Sequence, residues 1–171
     1  MRRHASMLVL PLSLPLLLSA FSADAADDDS LLAQLLTCSQ PAGPTAGAAA
    51  SKALEARATA GVDGIWKIAG RIQAGKLCIE NAQMSAAFGV MMASGSVCDG
   101  EPAALIDFLK RSDSGLKPAA EAPHPGMVAA FEAQKYAITL YRGEPGFKGG
   151  RPDPADQRLS YMCSYQGSGP Q

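Results

Sequence analysis

The sequence predicts an α+β domain: an antiparallel sheet of about five strands, with N-terminal helices, one helix inserted between strands, and two disulfides. Three observations predict it. Several segments alternate apolar and polar residues with a period of two, as half-buried strands require. Three other segments carry helical spacing or helix-forming composition, bounded by capping residues, glycine or proline. Four cysteines lie beyond an N-terminal segment that reads as an export signal.

That segment comes first in the chain. Met1-Arg2-Arg3-His4 is a basic start, residues 7–18 are an apolar run broken by Pro11 and Pro15, and Ala23-Asp24-Ala25 is a small-x-small cleavage site. This is the order of regions in a secretory signal peptide. The run is shorter than the roughly 20 residues a membrane-spanning helix needs. The sequence therefore predicts a signal peptide over residues 1–25 and one small globular domain over 26–171, with no membrane insertion after cleavage. Cleavage would remove Arg2, Arg3 and Asp24 and leave 13 basic against 15 acidic residues, a net charge of −2. So near-neutral a balance gives no electrostatic reason to expect nucleic acid as a partner. The Ala-, Gly- and Pro-rich composition points to a bacterial source, and so to the periplasm or the medium. Asp27-Asp28-Asp29 reads as a solvated acidic start that aids cleavage and export.

Residues 30–38 read as a short helix, capped by Asp29 or Ser30, with Leu31, Leu32, Leu35 and Leu36 on one stripe. Residues 46–60 have high helix propensity but only Leu54 as a large apolar side chain. The strongest strand signal is residues 66–73: Trp66, Ile68 and Ile72 share one face, Lys67, Arg71 and Gln73 the other. Ala74-Gly75 can turn the chain into a second strand over 76–84. Pairing Gln73 with Lys76 sets Ile72 against Leu77 and Gly70 against Ile79. Cys78 then falls on the opposite face, which the N-terminal helices are expected to cover. Residues 86–97 are apolar on both faces and read as a central strand.

Glu101-Pro102 opens the best-marked helix, since proline suits a first turn. Leu105, Ile106, Phe108 and Leu109 form its stripe, and Lys110-Arg111 suit its C-terminal end. A long loop is expected over 112–126, a strand over 127–141, and a second long loop over 143–157. In the last strand Leu159, Tyr161, Cys163 and Tyr165 point one way. A disordered tail is expected from residue 167.

Cys38, Cys78, Cys98 and Cys163 are separated by 40, 20 and 65 residues. Zinc sites favour closely spaced pairs, whereas an even count in an exported chain reads as disulfides. Three pairings are open. Local closure leans to Cys78–Cys98, which leaves Cys38–Cys163 to tie the ends together. No metal or cofactor is expected.

Chemistry-bearing patterns are sparse. No G-x-S-x-G, H-E-x-x-H, P-loop or G-x-G-x-x-G occurs. After cleavage His124 is the sole histidine, set between prolines in a surface turn. Asp99, Glu101 and Asp107 are close in sequence, but the first two suit a helix start. The loop over 143–157 carries the sharper expectation. Phe147 beside Lys148 and Arg151, among glycines, is the composition of an adaptable binding anchor. The expected function is therefore an exported protein-binding domain, such as an inhibitor or immunity protein, whose partner is a protein in the cell envelope or outside the cell. A periplasmic enzyme using carboxylates or His124, or a structural component of an envelope assembly, are the alternatives.

Overall fold

A computed structural model describes residues 22–39, 47–61, 63–87, 90–120, 126–143 and 157–166. Three helices and nine strands run in the order α1 (Ser22–Leu36), α2 (Gly47–Arg57), β1 (Ala58–Ala60), β2 (Trp66–Ile68), β3 (Ile72–Ala74), β4 (Leu77–Ala87), β5 (Val90–Val97), α3 (Pro102–Ser112), β6 (Lys117–Pro118), β7 (Met127–Glu132), β8 (Tyr136–Arg142) and β9 (Leu159–Gln166). The fold is α+β, and its single antiparallel sheet has the order β1-β2-β4-β5-β9-β8-β7-β6, with β3 also paired to β4. The last strand in sequence thus lies in the middle of the sheet, between β5 and β8.

The expected five strands are an undercount, for four local reasons. The end of the expected 46–60 helix is extended and pairs with β2. The expected 66–73 strand breaks at Gly70, whose φ of 77° lies in the left-handed region that only glycine adopts freely. The expected 112–126 loop contains the two residues of β6, paired with Phe131 and Glu132. The expected 127–141 strand is a hairpin, closed where the Ala133 N–H donates to the Tyr136 carbonyl at 2.8 Å. No Gly, Pro, Asn or Asp marks that turn, so the usual signal is missing.

The β3–β4 register also differs from expectation. Ala74 pairs with Leu77, Gln73 with Cys78 and Ile72 with Ile79. Gly75 takes φ 63° as the first of the two turn residues, which moves the turn one residue on. The resulting slip is two residues, so each side chain keeps its face. In β4 the register against β5 jumps by one between Glu80 and Gln83. Asn81 absorbs the extra residue at φ 54°, a conformation asparagine tolerates better than most side chains.

The core lies on one face of the sheet. Ile72, Leu77, Ile79, Ala93, Val97, Ile138, Leu140, Leu159, Tyr161 and Cys163 are buried there together with Leu32, Leu36, Leu105 and Leu109 from the helices. All four inward residues foreseen in the last strand are buried. Helix α1 packs on β3 and β4, and α2 packs on α1. The helices therefore cover the Leu77/Ile79 face, not the Cys78 face as expected. Cys78 is half-buried on the opposite side.

Two disulfides staple this arrangement: Cys38–Cys163 ties the end of α1 to the central strand β9, and Cys78–Cys98 links the start of β4 to the end of β5. Asp29 adds a third tie. One carboxylate oxygen accepts the Gln73 backbone N–H at 2.8 Å, and the other lies 2.6 Å from the Arg57 guanidinium. It is a buried structural group and not part of a solvated run.

Candidate functional site

Of the residues singled out in the sequence, Phe147, Lys148, Arg151 and His124 lie outside the described residues, as do residues 1–21 of the expected 1–25 signal segment and the tail from 167. What is described is the base of the 143–157 loop. The Gly143 N–H donates to the Arg158 carbonyl at 2.8 Å. The Arg142 guanidinium donates to the Gln157 carbonyl at 3.1 Å and to the Gly100 carbonyl at 3.0 Å. One side chain thus fastens both ends of the loop to each other and to the turn that precedes α3. Arg142 is partly buried, and one terminal guanidinium nitrogen, which carries two N–H groups, serves both carbonyls.

Of the acidic residues near α3, two lie at the start of the helix and the third is exposed on it. An Asp99 carboxylate oxygen accepts the Glu101 backbone N–H at 3.2 Å, a local turn that starts the helix. Glu101 is the N-cap residue, with proline at the first helical position. Asp107 is exposed. Among the described residues no group of three or more His, Cys, Asp or Glu is placed to hold a metal ion. No described helix is long and apolar enough to cross a membrane.

A feature the sequence reading missed is a cleft of about 190 Å³ lined by Ser39, Asp113, Gln134, Lys135, Tyr136 and Tyr165. Ser39 follows α1, Asp113 follows α3, and Gln134 and Lys135 form the β7–β8 turn. Tyr136 and Tyr165 are direct cross-strand partners on β8 and β9. The Tyr136 ring is buried, and its hydroxyl has no hydrogen-bond partner among the described residues. Burial, reinforced by the nearby Asp113 carboxylate, pushes its pKa up to about 12. The hydroxyl therefore stays protonated through the physiological range. The alternation in β8 and β9 placed both tyrosines on the inward face. What could not be read was that Ser39, past the end of α1, and Asp113, after α3, line one cleft with them, which is a long-range property.

Comparison with known protein families, curated protein sequences and solved structures finds no match for this chain. The two disulfides fit an oxidising compartment outside the cytoplasm.

Proposed function

We propose that this chain is an exported protein-binding domain, periplasmic or secreted, that presents the 143–157 loop to a protein partner. Phe147 is the apolar anchor, and Lys148 and Arg151 supply charge beside it. The partner is a protein of the cell envelope or the extracellular space, and the activity is that of an inhibitor or immunity protein acting on a secreted or envelope enzyme. The observation that carries this reading is the clamp at the loop base, where Arg142 and Gly143 hold residues 157 and 158. A binding loop on a stapled scaffold loses less freedom on association than one on a loose scaffold. The disulfide from α1 to β9 stiffens the same central strands from which the loop departs.

The test is affinity capture with the oxidised, exported protein as bait against envelope and secreted fractions. The expected result is a stoichiometric partner whose retention falls on Phe147→Ala combined with Arg151→Ala. Capture that ignores both substitutions overturns the loop as the binding element. Arg142→Ala should weaken capture while the fold persists, because it unfastens the loop without touching the partner.

A further inference from the structure

We propose that the cleft between the C-terminal ends of α1 and α3 binds a small organic cation through its ammonium or guanidinium group. Four features of the site favour positive charge. The first is the Asp113 carboxylate: one oxygen accepts the Gly115 N–H at 2.7 Å, and the group makes no ion pair among the described residues. The second is the pair of helix ends. Ser39, three residues past α1, and Asp113, directly after α3, line one cleft, which brings it near the C-terminal, electronegative ends of both helices. The third is the pair of rings, Tyr136 and Tyr165, whose faces attract cations.

The fourth feature is Tyr136, which lines the cleft and whose hydroxyl is buried with no hydrogen-bond partner among the described residues. A buried, unpaired hydroxyl is costly unless a partner arrives. When the ring turns toward the cleft, an N–H of a bound cation can donate to its oxygen lone pair. One opposing charge borders the cleft. Lys135 lines the cleft but is exposed, and Lys110 and Arg111 in the last turn of α3 are exposed as well. The volume suits a short alkylammonium or an alkylguanidinium, free or carried on a partner's side chain.

The test is a titration of the oxidised full-length export product, followed by the backbone amide resonances of residues 113–115 and 134–136. Butylammonium and methylguanidinium are the probes, and butyrate and butanol are the controls. The expected result is saturable shifts with the cations alone. Asp113→Asn, whose amide oxygen can still accept the Gly115 N–H, should weaken binding by up to about fivefold, the scale of one exposed charge pair. Tyr136→Phe should weaken it too, with a spectrum as well dispersed as the parent. Adding N-acetyl-lysine amide separates the sources: saturation by it assigns a side chain on a peptide, and its failure beside butylammonium binding assigns a free amine. Unsaturable shifts, equal response to butyrate or butanol, or unchanged affinity in both variants overturns the proposal.

Discussion

Asp29 accepts a backbone amide from β3 and pairs with Arg57 at the end of α2, so a single carboxylate joins three elements. Arg57 also donates to the Arg71 carbonyl at 3.1 Å. Asp29→Ala leaves the Gln73 N–H without its partner and Arg57 without its counter-charge. The expected loss is about 1–3 kcal/mol of unfolding free energy, the usual cost of stranding a buried polar group, read from urea denaturation. Asp28→Ala, at an exposed neighbour, is the control and should change little. The tyrosines give a second residue-scale prediction. Burial raises the pKa of Tyr136 to about 12, and that of Tyr161, fully shut from water, further still. The unfolded chain ionises its tyrosines near pH 10. The folded protein therefore holds more protons than the unfolded one above that pH. Its stability is complete below about pH 10 and falls as pH rises toward 12. Absorbance titration at alkaline pH should show Tyr136 and Tyr161 ionising late, and Tyr136→Phe should flatten part of the fall.

At the scale of elements, the sheet is held together at its centre by a close fit between β5 and β9. Gly95 pairs directly with Tyr161, and a Cβ at position 95 would lie 3.0 Å from both the Tyr161 hydroxyl oxygen and the Ile79 Cγ2. Gly95→Ala should therefore push the ring or the strand aside and cost about 1–3 kcal/mol, the range for overpacking. Calorimetry of the variant checks it, and a melting temperature equal to the parent's would refute this account of the glycine. The strands around this contact were largely legible in the sequence. Leu159, Tyr161, Cys163 and Tyr165 alternate cleanly, and so do Tyr136, Ile138 and Leu140, because each has one buried face. The α3 helix was equally plain, from Pro102 to the Leu105/Phe108/Leu109 stripe. Less legible were β1 and β6, three and two residues long, whose extended form rests on a neighbouring strand and not on their own composition. The Glu132–Tyr136 hairpin lacked turn residues. The cleft was invisible for a related reason: Ser39, Asp113 and Tyr136 are far apart in the chain, and only the packing of two helices on one sheet face assembles them.

For the whole molecule, the two disulfides constrain very different lengths of chain. Cys38–Cys163 spans 125 residues and Cys78–Cys98 spans 20. On a chain-entropy basis the first should contribute about 5 kcal/mol and the second about 3. Replacing Cys38 and Cys163 by Ala should therefore lower the denaturation midpoint more than replacing Cys78 and Cys98, and a reversed order would count against that basis. The long bridge joins α1, which covers the core, to the strand at the middle of the sheet, so its loss should also loosen the helical layer. Amide exchange in α1 should then speed up more than exchange in β4.

The nesting of these bridges has a consequence for biogenesis. A chain that crosses a membrane from its N-terminus delivers its cysteines in the order 38, 78, 98 and 163. The native Cys38–Cys163 pair encloses the Cys78–Cys98 pair, so the pairing does not follow that order. An oxidant that joins thiols as they emerge would first link Cys38 to Cys78, a pair that must be undone by thiol–disulfide exchange. Maturation should therefore depend on a disulfide isomerase: in an exporting host without one, a mispaired species should accumulate, and a chain carrying only Cys78 and Cys98 should be spared. Equal yields of the native protein in both hosts would show that folding outruns oxidation.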